Sequence, residues 1–182
     1  ANEPKYFGWF KVVSHTSNTI TLNKPIGGTM VAGSTASKNR RLIWVKNPVM
    51  NAGVEGFEIT SAQSGGAVAE AGAYFQGGFD LFANDIDATN LGAGAVVFQF
   101  GERMKANRVY TKKNILAGNA NFGRGMTMQE CYYCEINDSR TDSCQGAHIV
   151  DEANNPGSSI NNHTFISDSI DRKAIVAIGS GG

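Results

Sequence analysis

Short apolar segments recur along this chain at a nearly regular interval, and repetition of that kind constrains a fold more than any single motif. From Gly53 onward, Val54–Ile59, Phe82–Ile86, Lys105–Val109, Tyr132–Ile136 and Asn161–Phe165 read as short strands in which apolar and polar residues alternate. Aligning their last apolar residues, Ile59, Ile86, Val109, Ile136 and Phe165, gives spacings of 27, 23, 27 and 29. A second set interleaves with the first: Ala67–Ala69, Val97–Phe100, Met126–Met128, His148–Val150 and Ile175–Ile178. Two strands per repeat, with Gly- or Asn-containing turns and no helical periodicity between them, predict one coil of a parallel solenoid per repeat. Propeller blades need ~40–45 residues, and a sandwich has no reason to repeat.

Composition agrees with many sharp bends. The 182 residues include 22 Gly and 17 Asn but only 4 Pro, and Gly and Asn are the residues that tolerate left-handed backbone. Apolar residues make up 41% and charged residues 18%, and 16 Lys+Arg balance 16 Asp+Glu. That balance argues against a disordered charged tail and against phosphate-driven nucleic-acid binding. No apolar run approaches the ~20 residues of a membrane span. No basic stretch followed by an apolar one opens the chain, so no signal peptide is expected in it. Residues 1–46 read as a β-rich opening segment, carried by Trp9–Val13, Thr19–Asn23 and Leu42–Val45. Residues 47–182 read as about five to six coils. The chain stops just after Ile175–Ile178 with no amphipathic cap. It is therefore expected to be a fragment of a longer solenoid, or one whose end another subunit covers.

Coiling would stack equivalent residues in columns. Ile59, Ile86, Val109, Ile136 and Phe165 form the expected inward column. Two residues earlier, Phe57, Asn84, Asn107, Cys134 and His163 are expected to face the same way, with the amides bonding along the stack. The expected outward columns are Asp85, Arg108, Glu135 and Thr164, then Asp87, Tyr110, Asn137 and Ile166.

The stretch Asn47–Ile59 (Asn-Pro-Val-Met-Asn-Ala-Gly-Val-Glu-Gly-Phe-Glu-Ile), with Phe10–Val13 and Asn18–Pro25 before it, resembles the pectate-lyase-like right-handed parallel β-helix superfamily. The resemblance covers most of the chain and implies an all-β, right-handed parallel β-helix. It also implies work on polysaccharides, as a hydrolase, lyase, epimerase or phage tailspike depolymerase, outside the cell or on a virion surface, and a homo-oligomer such as a trimer. The Asn-Thr-Asp, Asp-Asp and Gly-His-Gly signatures of pectin hydrolases are not in the sequence.

Several groupings could carry chemistry. Asp85 and Glu135, two coils apart, would lie about 9.6 Å from one another by strand spacing, close to the carboxyl separation of inverting glycosidases. Arg108 between them would hold a sugar carboxylate, or simply bridge two acids on a surface ladder. Glu70, Glu102, Glu130 and Glu152 fall at or just past the second strands, with Asp151 beside the last. Stacked carboxylates raise one another's pKa, as a general acid requires. They also suit Ca²⁺, the one cofactor the sequence suggests; splayed in solvent, they would do neither. Tyr110 and Tyr133 are expected to face outward as sugar platforms, with Asp87 and Asn137 beside them as substrate-binding residues. His148 is the histidine to test as a base, and a lyase would draw on Arg108, Tyr110 or Lys112. Cys131, Cys134 and Cys144 with His148 spell C-x2-C-x9-C-x3-H, but strand parity points Cys131 and Cys134 to opposite faces. Buried thiols are therefore expected rather than zinc. Three functions follow: a polysaccharide-binding and polysaccharide-degrading protein, a non-catalytic structural or adhesive β-helix of a trimeric viral fibre or surface protein, or a polyuronate epimerase or lyase.

Overall fold

A computed structural model describes residues 10–23, 47–61, 71–114, 123–152, 155, 157–166 and 176–179. Every helix or strand element among them is a strand. In chain order these are β1 (Val12–His15), β2 (Ile20–Leu22), β3 (Val49–Met50), β4 (Gly53–Thr60), β5 (Ala71–Gln76) and β6 (Gly78–Phe79). Next come β7 (Phe82–Thr89), β8 (Gly94–Gln99), β9 (Lys105–Lys112), β10 (Met126–Gln129) and β11 (Glu135–Asn137). The last are β12 (Arg140–Asp142), β13 (Ile149–Glu152), β14 (Ser159–Asn161), β15 (Thr164–Ile166) and β16 (Val176–Gly179). The expected strands at Leu42–Val45 and Ala67–Ala69 lie outside the described residues.

β1 and β2 form an antiparallel hairpin, tightened at its tip by the Thr16 hydroxyl, which accepts the Thr19 N–H at 3.1 Å. All other pairing is parallel. One sheet stacks β4, β7 and β9, then β11 with β12, then β14 with β15. A second stacks β5, β8, β10, β13 and β16 in that order. A narrow third ladder joins β3 to β6 and continues through single bridges from Phe79 to Glu102 and from Glu102 to Tyr132. Successive rungs of the long-strand sheet run from Gly53 to Phe82, Lys105, Glu135 and Ser159, at offsets of 29, 23, 30 and 24 residues. The first three offsets recur in the narrow ladder, at Val49, Gly78 and then Phe79, Glu102, Tyr132.

The corners between strands repeat with the same offsets. Left-handed backbone recurs in four columns: Asn51, Asp80, Arg103, Tyr133 and Gly157; Gly56, Asp85, Arg108, Asp138 and Asn162; Asn90, Lys113 and Ser143; Gly77, Phe100 and Glu130. A positive φ is uncommon outside Gly, Asn and Asp, so column after column of it reflects a demand of the fold. That demand is to bend the chain while its backbone stays bonded to the next rung. Asp80, Arg103 and Asp138 donate their N–H groups to Glu102, Tyr132 and Asn161 at 3.1, 2.8 and 3.1 Å. Here the Asn- and Gly-rich composition has its use.

Each such corner also resets which face a side chain takes. In β7, Ala83, Ile86 and Ala88 are buried, while Phe82, Asn84, Asp85, Asp87 and Thr89 lie on the outer face; β9 repeats the pattern with Ala106, Val109 and Thr111 inside. Unbroken alternation would have put Asn84 and Asn107 inside with Ile86 and Val109, and the left-handed residue at 85 or 108 turns them outward. The inward columns are corrected accordingly. Phe57 pairs with Ile86 and Val109, whereas Ile59 pairs with Ala88. Ile136 pairs with Ala106 and Ile160, and Phe165 with Thr141. Cys134 and His163 fall in different columns from one another and from the asparagines.

The core fills the space between the long-strand and short-strand sheets. Ile86, Val96, Phe98, Val109, Met126, Met128, Ile136 and Ile149 are fully buried, and Phe75 meets Phe98 ring to ring at 5.6 Å. Neighbouring strands approach closely enough at Gly125 that a Cβ there would stand 2.2 Å from the His148 carbonyl oxygen.

Candidate functional site

The outer face of the long-strand sheet, between the first two left-handed columns, carries the densest polar order among the described residues. Its centre is a ladder of amides. Asn107 donates its Nδ2–H to Asn84 Oδ1 at 2.8 Å, Asn137 to Asn107 at 3.0 Å, and Asn161 to Asn137 at 2.8 Å. Every bond runs from the later strand to the earlier, so the amide dipoles align and strengthen one another. Asn84, Asn107 and Asn137 are half-buried and Asn161 is exposed. A second ladder joins Gln76, Gln99 and Gln129 at the end of the short-strand sheet, with bonds of 3.2 and 2.8 Å.

Charged pairs flank the asparagines. Arg108 grips Asp85 with both Nε and an Nη, at 2.6 and 2.7 Å. Five residues earlier in the same repeats, Arg103 grips Asp80 at 2.7 and 2.8 Å and also reaches Glu102. Between them Lys105 meets Glu135 at 3.1 Å. Asn162 donates to Asp138 at 2.7 Å, continuing the column above Arg108. The hydrogen bond from Arg108 holds the Asp85 carboxyl below its ordinary pKa, and the Arg108 guanidinium is raised in turn. Glu135 is lowered first by the Asn137 amide and then by Lys105. Both acids are therefore carboxylates at neutral pH. Neither can donate a proton, and Arg108 cannot accept one.

Asp85, Arg108, Glu135, Asn137 and Tyr133 thus share one strip, but not in the expected columns. Arg108 pairs with Asp85 alone, because Glu135 stands three residues away in register, opposite Lys105. Asp87 and Tyr110 occupy the next column, followed by Arg140. The ring of Tyr110 is not free for a sugar. Arg140 lies 5.0 Å and Lys112 5.3 Å from its centroid, in cation–π contact. Tyr133 is an open aromatic on this strip, 55% exposed. Its ring rests on Gly157, where a Cβ would come within 2.4 Å of it.

The glutamate column does not form. Glu102 pairs with Tyr132, Glu152 with Gln129, and Glu130 sits at a corner one repeat beyond Phe100; Glu70 lies outside the described residues. Glu102 is 5% exposed and paired with Arg103. The three acids end in different columns because the offsets are 30 residues from Glu102 to Tyr132 and 23 from Gln129 to Glu152, not the 28 and 22 that the alignment needed. The Ca²⁺ site that depended on their stacking is lost with it, and no group of three or more His, Cys, Asp or Glu converges among the described residues. His148, the candidate base, is wholly buried, its Nδ1 2.7 Å from the Thr141 hydroxyl. Cys131, Cys134 and Cys144 are free thiols, all buried. Cys131 and Cys134 share the inner side, because the left-handed Tyr133 between them overrides strand parity. No described helix is long and apolar enough to cross a membrane.

Sequence reasoning passed over Asp80, Arg103 and Arg140. A signal for the first two was there: Asp80 and Asp85 in one repeat, Arg103 and Arg108 in the next, each pair five apart and separated by 23. No protein-family model, curated protein or solved structure matches this chain.

Proposed function

We propose that the chain forms five coils of a right-handed parallel β-helix and binds a linear polysaccharide along its outer strip without cleaving it. The coil reading is supported by repeats that supply one rung to each sheet at common offsets. Handedness follows from the rule that ~98% of parallel crossover connections are right-handed. The observation that carries the ligand is the outward amide ladder ending at exposed Asn161, with the open ring of Tyr133 two columns away. Amides donate and accept as sugar hydroxyls do, an aromatic face takes the apolar face of a pyranose, and strand spacing repeats both along the strip. Arg103, Lys105 and Arg108 are each committed to a carboxylate, which favours a neutral chain over a polyuronate.

Binding is favoured over hydrolysis because Asp85 and Glu135 are held ionised by their partners. It is favoured over elimination because Arg108 is held charged. The resemblance to pectate-lyase-like β-helices adds the setting, an adhesive trimer on a virion or cell surface.

The test is retention on immobilised neutral, capsular and polyuronate glycans, with product assays alongside. Retention of a neutral glycan without new reducing ends or unsaturated sugars is the expected outcome, and Tyr133→Ala weakens it roughly tenfold. Turnover that disappears in Glu135→Gln would overturn the reading, as would unchanged retention by Tyr133→Ala.

A further inference from the structure

We propose that Cys131 and Cys134 are a peroxide-sensitive dithiol that closes to a disulfide inside the fourth corner of the narrow ladder. The position is built for contact between residues three apart. In the two preceding coils the same pair of places is held by Gly78 with Leu81 and by Gly101 with Met104. A Cβ on Gly78 would lie 2.6 Å from Leu81 Cδ1, and one on Gly101 would lie 2.5 and 2.7 Å from Met104 Cε and Sδ. The corner therefore aims the later side chain straight at the earlier α-carbon. In the fourth coil a glycine facing a long side chain is replaced by two short ones, each ending in sulfur.

Each thiol donates to the backbone carbonyl two residues before it, Cys131 to Gln129 O at 3.2 Å and Cys134 to Tyr132 O at 3.5 Å. The Met104 N–H also points at Cys134 Sγ from 3.4 Å. Their backbone is pinned from the next coil: the Cys131 N–H donates to Asn155 Oδ1 at 2.6 Å and the Cys134 N–H to Ser158 Oγ at 3.0 Å. The neighbouring Cys134 holds the Cys131 thiol below the usual cysteine range, which marks Cys131 as the attacking sulfur.

Both side chains are buried, so the oxidant is a small one, hydrogen peroxide. The Cys131 thiolate attacks one peroxide oxygen and displaces the other, leaving a sulfenic acid. Cys134 sulfur then attacks Cys131 sulfur and expels that oxygen. Two thiols lose two electrons and two protons in total, and the peroxide is reduced to two waters. Cys144 lies in the column of Leu91 and Asn114, at a different corner, and takes no part.

The folded protein is treated with hydrogen peroxide, blocked with an alkylating agent, unfolded and mapped by mass spectrometry. The expected result is a Cys131 to Cys134 link, lighter by two hydrogens and restored by a reducing agent, with Cys144 alkylated after unfolding. In Cys134→Ser the sulfenic acid persists at Cys131 and is captured by a cyclic 1,3-dione. Oxidation of Cys144 ahead of the pair, a link to Cys144, or a pair unmodified while surface methionines oxidise would overturn the proposal. The mapping uses the unaltered chain, so it decides the matter even where the variant does not fold.

Discussion

Phe98→Ala is expected to lower stability by ~3–5 kcal/mol, the range for removing a fully buried aromatic and leaving its cavity. Phe98 has no exposed surface. It stands directly between Phe75 on one neighbouring strand and Met128 on the other, its ring 5.6 Å from that of Phe75. Removing the middle member of a stack strips contacts from both neighbours at once. Combining it with Met128→Ala should therefore give less than the sum of the separate losses, because both substitutions empty one shared space. Urea denaturation of the two single variants and the double variant measures both effects. A loss below about 1 kcal/mol for Phe98→Ala, in the range of surface substitutions, would mean that these strands do not stack face over face.

Acidification between pH 6.5 and about 4 is expected to destabilise the fold through His163. Burial, with the neighbouring His148 adding to it, pushes the His163 pKa down to about 4. In the unfolded chain a histidine titrates near 6.5. Above that value both states are neutral at this site and its contribution is constant. As pH falls below 6.5 the unfolded state binds a proton that the folded state refuses, and the penalty grows until the folded state titrates near 4. His163 is only half-buried, so solvent screening reduces the penalty to roughly 1–2 kcal/mol. Its Nε2 lies 3.1 Å from the Thr141 hydroxyl, which also lies 2.7 Å from His148. Phe165 packs at 4.5 Å. His163→Phe should remove this part of the pH dependence. The expected record is a thermal midpoint that drops between pH 6.5 and 4 in the native chain and drops less in the variant. An equal drop in both would assign the effect elsewhere.

What could be read without coordinates was the rhythm. The parallel pairing of the second set's strands is as the repeat implied, and so is the amide bond between Asn84 and Asn107. The register was not legible, for two physical reasons. The links after the long strands differ in length, with 90–93 short and 113–125 long, so no constant spacing exists to align against. Left-handed corners also shift parity in mid-strand, and nothing in the residue names marks Arg108 or Tyr133, unlike Gly56 or Asn162, as such a corner. Both errors fell on the candidate site. They placed the asparagines inside, put Glu135 beside Arg108, and sent Cys131 and Cys134 to opposite faces.

One column tests the winding of the chain across its whole described depth. Glu58, Asp87, Tyr110, Arg140 and Thr164 occupy successive rungs, and Glu58 and Thr164 at its ends are both exposed. Spin labels on Glu58→Cys and Thr164→Cys, with the native thiols buried, allow their separation to be read by pulsed electron resonance. Coil upon coil predicts a single narrow distribution centred near four strand spacings, ~19 Å between backbones plus the label arms. A distribution displaced by more than about two strand spacings, or a broad one, would contradict the stacking on which the strip, its amide ladder and its glycan depend.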